Sequence, residues 1–294
     1  MSPVQGEVRW LLLIATLASA AAGTAFASLL VSREAAAPAR SAGMLRVGVA
    51  RLPLPAGWKP LRRSPLAELP GAASARAPYF DVAIDVRMPD DPSLLPGPML
   101  PAAGGTPSPE LRRTGGHAAW SYDLPGRRAW TRISVLALPT TGGVVTVACT
   151  ADESYAFHVA LDCEEALASL QLAAAPLPPA PETAVRIVAP RTIARLDDVR
   201  KAARRALAST RSPRRRAAAA RRIAAAYGAA ARRLAPLARG AARPLPRALA
   251  ALARDHRALA VASARRDAPA ARRAGRAINR GERGLASQLA VVSP

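Results

Sequence analysis

The sequence WTRISVLALPTTGGVVTVAC, Trp130–Cys149, predicts a β-hairpin in the middle of the chain. Its two apolar runs, Trp130–Leu138 and Val144–Cys149, are rich in β-branched residues, and two of the five residues between them are glycines. A loop of this length and composition joins antiparallel strands. The hairpin is therefore the expected centre of an antiparallel sheet.

Further strands and one helix are predicted on either side of the hairpin. Apolar and polar residues alternate in Leu45–Val49 and in Tyr79–Arg87, and Ala118–Tyr122 is a third short apolar segment. The segment Asp162–Leu170 begins with an aspartate that can cap a helix, and Glu165 three residues later completes a capping box. These patterns predict an α+β domain, an antiparallel sheet of about five strands with one helix packed on it.

The chain contains two cysteines, Cys149 and Cys163. Cys149 shares the strand face of Val145 and Val147, and Cys163 belongs to the apolar stripe of the predicted helix. Both thiols are expected in the interface between sheet and helix. A disulfide there would close a loop of 15 residues and stabilise the fold by about 3 kcal/mol. The alternative is a pair of unlinked buried thiols.

Several of these elements together resemble a known kind of domain. They are PAGW at Pro55–Trp58, AWSY at Ala119–Tyr122, LPTTGGVVTVAC at Leu138–Cys149 and the helix that contains Cys163. This combination resembles a cysteine-paired domain of exported proteins in high-GC bacteria, similar in layout to the PsbP-like fold. The resemblance covers residues 44–172. It implies a curved antiparallel sheet backed by helices, in a non-catalytic module outside the cytoplasm.

Residues 10–31 contain no charged side chain and are largely apolar. As a helix they would span about 30 Å, which predicts a single transmembrane helix that anchors the protein in the cell membrane. The alternative is a cleaved signal peptide with Arg9 as its basic region and Ala25–Ala27 as its cleavage site, which would give a secreted protein. A disulfide favours an extracytoplasmic location for the rest of the chain. The opposite orientation is favoured by the positive-inside rule, because Arg9 alone precedes the segment whereas Arg33, Arg40, Arg46 and Arg51 follow it.

The chain has 294 residues, and its net charge of +22 lies entirely after residue 182. Residues 1–182 contain 15 basic and 15 acidic side chains, whereas residues 183–294 contain 27 basic and five acidic ones. A proline-rich stretch precedes this change and predicts a linker. The predicted organisation is an anchor or signal segment at 1–43, the α+β domain at 44–172, the linker at 173–189 and a basic helical domain at 190–294.

Residues 190–294 are predicted to form four amphipathic helices separated by proline and glycine. The first apolar stripe includes Leu196 and Val199, and the last includes Leu285. Short connections favour an all-α antiparallel bundle. His256 lies on the third stripe, where a core histidine with hydrogen-bond partners is expected rather than a metal ligand.

Arginine doublets mark the outward faces of these helices. Arginine supplies all but two of the basic residues in the chain, and GC-rich codons alone can produce such an excess on a solvated surface. The functional interpretation is attraction of polyanions, because a dense arginine field attracts phosphate at long range. The candidate polyanion-binding residues are Arg221, Arg222, Arg232 and Arg233. Their expected partners are anionic lipid or a cell-wall polymer outside the cytoplasm, or nucleic acid inside it.

The sequence provides little for catalysis or for holding a cofactor. Three histidines and two cysteines exclude zinc-finger, iron–sulfur and multi-histidine sites, and no phosphate-binding glycine loop occurs. His117, Ser121 and Asp123 are near one another in sequence, but their spacing is that of one strand rather than of a nucleophile turn. The protein is therefore expected to be no enzyme and to use no metal or cofactor.

These inferences predict a non-catalytic, membrane-anchored protein of the cell envelope that binds or scaffolds partners. One alternative is a cytoplasm-facing protein that binds the nucleic-acid backbone, although no helix-turn-helix, RNA-recognition or OB-fold signature supports base readout. If the protein is exported, nucleic acid is not an expected partner. The other alternative is a hydrolase of unrecognised type, which the absence of a positioned acid and base argues against.

Overall fold

The structure, a computed structural model, describes residues 43–100, 108–126, 131–210 and 212–292. The strands are β1 (Gly43–Val47), β2 (Ala50–Leu54), β3 (Lys59–Leu61), β4 (Ala73–Arg76), β5 (Asp81–Arg87), β6 (Glu110–Thr114), β7 (His117–Pro125), β8 (Thr131–Thr140), β9 (Gly143–Asp152) and β10 (Gln171–Leu172). The helices are α1 (Ala156–Ser169), α2 (Thr183–Ala208), α3 (Pro213–Leu234), α4 (Pro244–Ala264) and α5 (Ala268–Val292). All ten strands precede α2.

The predicted hairpin is present as β8 and β9, at the centre of a seven-stranded antiparallel sheet in the order β3-β4-β5-β9-β8-β7-β6. Thr140 pairs with Gly143, which leaves only two residues in the turn. The hydroxyl of Thr140 donates to the Gly143 carbonyl at 2.8 Å. Gly143 has a φ of +143°, and a Cβ there would lie 2.8 Å from the Arg87 carbonyl oxygen, so this position requires glycine.

The prediction of about five strands was too low, because several strands are short or lack an alternating pattern. Leu45–Val49 was predicted as one strand, but Gly48 turns the chain at a φ of +51° and makes it a hairpin of β1 and β2. β10 completes this second, three-stranded sheet. β6 is an edge strand whose first four residues are all exposed, so it has no apolar face that a sequence pattern could reveal.

The large sheet is covered on both faces. One face, with α1 and the small sheet, forms a cluster that includes Val82, Ile84, Val147, Cys149 and Leu167. The other face forms a second cluster with the chain after β3 and with the C-terminal helices. The alternation predicted for β5 and β9 is therefore confirmed, and β5, β7, β8 and β9 each contribute to both cores.

Helix α1 begins six residues earlier than predicted. Tyr155 is its N-cap residue, and Asp162 and Glu165 lie inside the helix rather than at its start. Val159, Cys163 and Leu167 are spaced by four residues and are all buried, so the apolar stripe continues toward the N-terminus of the helix. This continuous stripe fixes the helix start, and the capping-box prediction is wrong.

Helix α2 begins at Thr183, so the last seven residues of the predicted linker are helical. Val185 and Val188 belong to the same hydrophobic cluster as Val135 and Ala148 of the sheet. The first turns of α2 therefore join the helices to the sheet through one apolar core. The division into two separately folding domains stays a prediction.

The four predicted C-terminal helices are present as α2 to α5. None of the helices in the described ranges combines the length and the hydropathy needed to cross a lipid bilayer, because each long one is amphipathic and arginine-bearing. The predicted fold class, which included an N-terminal transmembrane helix, is therefore corrected to an α+β fold with an antiparallel sheet domain and C-terminal helices. Residues 10–31, on which that prediction rested, lie outside the described residues.

Candidate polyanion-binding surface

The four arginines predicted to bind polyanions, Arg221, Arg222, Arg232 and Arg233, are all exposed on α3. The opposite face of the helix is buried and carries its large apolar side chains, among them Ile223 and Leu234. Alanine fills most other positions of α3, so the helix packs closely against its neighbours while every arginine stays at the surface. The amphipathic pattern thus fixes the direction of the arginines.

The surroundings of these arginines are poor in negative charge. No aspartate or glutamate occurs between Asp198 and Asp255, a segment that includes the whole of α3. Within the described residues, none of the four arginines forms an ion pair with a carboxylate. Their positive charge is therefore available to an external anion.

Other arginines of the helices are neutralised internally. Glu282 of α5 accepts hydrogen bonds from Arg200 of α2 at 2.8 Å and from Arg204 at 2.9 and 3.0 Å. Arg200 also donates to Asp197 at 2.7 Å. The hydroxyl of Tyr227 on α3 donates to Glu282 at 3.2 Å. This network joins three helices, and we call it the Glu282 network.

The pKa values of Glu282 and Tyr227 are shifted within the Glu282 network. Burial acts to raise the pKa of Glu282, but the positive charges of Arg200 and Arg204 outweigh burial. The pKa of Glu282 is therefore below its ordinary value of 4.5. Burial is the main cause of the raised pKa of Tyr227, so its hydroxyl stays protonated and can donate to the carboxylate. The network is thus a partly buried contact between helices in which the two arginines are balanced by two carboxylates.

His256 of α4 lies beside this network. Its ring stacks on Tyr227 with centroids 5.5 Å apart, and the side chain is buried. The position in the core is as predicted, and neither ring nitrogen has a hydrogen-bond partner among the described residues. Burial lowers the pKa of His256, which favours the neutral ring.

The predicted disulfide between Cys149 and Cys163 is present. It joins β9 to α1, with a Cα–Cα distance of 5.8 Å, and both residues are fully buried. The shared parity of Cys149 with Val145 and Val147 directs it toward α1, as the sequence predicted. The bond has a structural position and is shielded from solvent.

A cleft of about 770 Å³ lies at one end of the large sheet, where β5 and β8 begin and β9 ends. Tyr79, which is 70% exposed, forms part of its wall and stacks on Tyr155 at 5.2 Å. Arg76 and Asp81 form a bidentate ion pair in the same wall at 2.8 and 3.1 Å. The volume is in the range of small-molecule sites. Sequence patterns did not indicate it, because the lining residues come from five separate segments.

The three residues weighed as a catalytic group do not assemble. His117, Ser121 and Asp123 all belong to β7, and the first two are separated by about 13 Å along the strand. His117 Nε2 instead contacts the Leu170 carbonyl oxygen at 3.1 Å. In the described part of the chain, no three or more histidine, cysteine or acidic side chains are grouped so that they could hold a metal ion.

The Glu282 network was missed at the level of sequence, although a signal for it exists. Glu282 falls four residues after Ile278 and three before Leu285, on the apolar stripe of α5, and Arg200 falls on that of α2. Val199 was assigned to the α2 stripe, but it is 38% exposed, and Arg200 lies inside in its place. Two opposite charges on two apolar stripes indicate a buried ion pair.

Comparison with known proteins gives little further information. No protein-family model and no curated protein sequence matches this chain. One similar solved structure is LpqN, involved in cell envelope biogenesis of Mycobacterium tuberculosis, with 16% sequence identity and a TM-score of 0.24. The match covers 42% of this chain and 83% of LpqN. Of the features predicted with the resemblance to exported cysteine-paired domains, the structure confirms the disulfide between Cys149 and Cys163.

Proposed function

We propose that the protein is a non-catalytic binding protein of the cell envelope, and that its arginine-rich helices bind anionic lipid or an anionic cell-wall polymer. The observation that carries this proposal is the set of exposed arginines on α3 that have no carboxylate partner among the described residues. The sheet domain contributes the stable, disulfide-linked body from which these helices extend.

The charge distribution supports an anionic partner. A field produced by many arginines with few acids between them raises the local concentration of anions and accelerates their association. Each arginine near an anionic membrane surface contributes about 1 kcal/mol, and the contribution decays within about one Debye length. Arg221, Arg222, Arg232 and Arg233 together therefore suffice for binding that depends strongly on salt.

The disulfide supports a location outside the cytoplasm. Disulfides form and persist in oxidising compartments, and reducing systems keep cytosolic thiols free. The bond between Cys149 and Cys163 is buried under α1, so it is expected to be a permanent structural bond rather than a reactive one. An exported protein would meet lipid headgroups and wall polymers rather than nucleic acid.

The absence of an assembled acid–base group favours binding over catalysis. His117, Ser121 and Asp123, the strongest catalytic candidates in the sequence, lie along one strand and do not meet. These three residues therefore give the hydrolase alternative no support.

The test is binding of the full-length protein to vesicles and polymers in a series of salt concentrations. We expect cosedimentation with phosphatidylglycerol vesicles or retention on an anionic polymer at low salt, a steep loss as salt rises, and little binding to phosphatidylcholine vesicles. Failure to bind any anionic surface or polymer at low salt would overturn the proposal. The arginines would then be a solvated surface without a partner.

Location is tested separately, in fractions of the native host. Cys149 and Cys163 should resist alkylation in denatured samples until a reductant is added. Thiols that are alkylated at once would contradict both export and the disulfide.

A further inference from the structure

Six of the seven arginines of α3 form two straight rows. The first row consists of Arg214, Arg221 and Arg232. The second row consists of Arg215, Arg222 and Arg233. Within each row the spacings are seven and eleven residues, which at 100° per residue bring all three side chains to within about 20° of one line along the helix. All six arginines are exposed. We call this arrangement the arginine rows.

A narrow strip of small side chains separates the arginine rows. The rows are about 100° apart around the helix, and Ala218, Ala225 and Ala229 lie between them. The first of these alanines is half-buried and the other two are exposed. The strip spans about 17 Å of the roughly 27 Å covered by the rows, and it has only methyl groups as its floor, with cationic side chains along both edges.

The arginine rows have no internal counter-charge. In the described residues, no carboxylate forms an ion pair with any of the six arginines, whereas Arg200 and Arg204 are both paired with Glu282. Arg200 and Arg204 thus have a carboxylate partner within the fold, whereas the six arginines of the rows have none among the described residues. Six cations on one helix face repel one another, and an anion bound along that face would relieve the repulsion.

We propose, building on the proposed function, that α3 binds a linear phosphate polymer lengthwise, with the polymer backbone over the alanine strip and its phosphates between the arginine rows. The guanidinium group suits this ligand because its planar fork donates two parallel hydrogen bonds to phosphate. Straight rows on either side of a shallow strip match a chain of repeated charges.

A flat lipid surface matches this face less well. Helices that bind in the membrane interface insert large apolar side chains such as Trp, Phe or Leu. The large apolar side chains of α3, Ile223, Tyr227 and Leu234, are buried in the protein core, and the outward face presents only alanine between its arginines. A base-stacking ligand also lacks a site there, because Tyr227 is the only aromatic residue of α3.

The test compares two variants of the full-length protein with equal loss of charge. The first is R221Q/R222Q/R232Q/R233Q in the arginine rows. The control is R272Q/R273Q/R276Q/R280Q, which removes four exposed arginines from α5. Glutamine has nearly the helix propensity of arginine, so both variants should keep the parent's circular dichroism.

The probes are a polyphosphate long enough to cover the roughly 27 Å of the arginine rows, tripolyphosphate, single-stranded DNA of equal charge, and phosphatidylglycerol vesicles. We expect the row variant to lose about tenfold or more in polyphosphate affinity, and its plot of log K against log salt to become shallower by about 3. The control variant should change that slope by less than about 1. Tripolyphosphate should bind more weakly than the long polymer to the parent protein.

Each contrary outcome points to a different failure. Equal losses in the two variants would overturn the arginine rows as a site and leave anion binding by the whole basic surface. Vesicle binding that depends on the rows while polyphosphate binding does not would assign the face to lipid, and tighter binding of single-stranded DNA than of polyphosphate would assign it to nucleic acid. Absence of binding to every anionic probe would overturn the proposed function as well.

Discussion

Arg200 of α2 donates a hydrogen bond of 2.8 Å to Glu282 of α5, and so joins the first and last of the four C-terminal helices. The same carboxylate also accepts hydrogen bonds from Arg204 and from the hydroxyl of Tyr227. Both members of the Arg200–Glu282 pair are 22% exposed, so the pair is largely shielded from solvent. A helical assembly with alanine-rich seams buries little area per residue, and this network adds directional contacts to it.

We therefore expect Glu282→Gln to destabilise the protein by about 2 kcal/mol in urea unfolding. This is less than the 3–5 kcal/mol typical of breaking a fully buried pair, because the site keeps some solvent contact. The control is Glu110→Gln, since the exposed Glu110–Arg112 pair should change stability by less than about 0.5 kcal/mol. Equal effects of the two substitutions would show that the Glu282 network contributes nothing beyond surface electrostatics.

His256 predicts a dependence of stability on pH. Burial lowers its pKa in the folded protein below the ordinary value of 6.5, although Glu282 and Asp255 act in the opposite direction and Arg200 and Arg204 in the same direction. The unfolded state therefore takes up a proton at a higher pH than the folded state does. Stability from this site is fully present above pH 6.5 and is lost as the pH falls through the folded-state pKa.

The measurement is urea unfolding of the parent and of His256→Phe between neutral and mildly acidic pH. Phenylalanine keeps a ring against Tyr227 and has no proton to bind. The parent should lose stability over this range by more than the variant does. Parallel curves for the two proteins would mean that His256 titrates alike in the folded and unfolded states.

Local patterns predicted the sheet core well and its edges poorly. The hairpin β8–β9 and the inward parity of Cys149 follow from alternation over buried strands, where each residue type is constrained by one face of the sheet. β6 is exposed along most of its length, so hydrogen bonding to β7 rather than burial defines it. A hydrophobic pattern in the sequence therefore does not predict this strand.

The sequence likewise predicted one part of the candidate site and not the rest. The exposure of Arg221 and Arg232 followed from the amphipathic period of α3 alone. The cleft beside Tyr79 required knowledge of which strand ends meet, which is a property of the topology. Glu282 was not predicted, because hydrophobic periodicity defines the apolar stripe of α5 and does not identify a charged partner on another helix.

The disulfide predicts a defined loss of stability on reduction. Cys149 and Cys163 are separated by 14 residues, and opening a loop of that size costs about 3 kcal/mol in the loop-entropy description. We expect the parent to lose this amount in urea unfolding when a reductant is added. Cys149→Ala/Cys163→Ala should be destabilised without reductant and should not respond to it. A parent that is insensitive to reductant would argue against a disulfide that constrains the unfolded chain.

The shared core of the sheet and α2 predicts a single unfolding transition. Val185 and Val188 of α2 belong to the same hydrophobic cluster as Val135 of β8, so loss of the sheet would expose the first turns of the helical half. All four tryptophans precede Thr131, whereas most helical residues follow Thr183. In a W10F/W130F variant, tryptophan fluorescence reports on the sheet domain through Trp58 and Trp120. Far-ultraviolet circular dichroism reports mainly on the helices, and the two unfolding curves should coincide in urea. Val188→Ala should shift both curves together by about 1–2 kcal/mol, because it removes buried methyl groups at the junction. Two separate transitions, with only one displaced by the substitution, would instead establish the two independently folding domains that the charge boundary predicts.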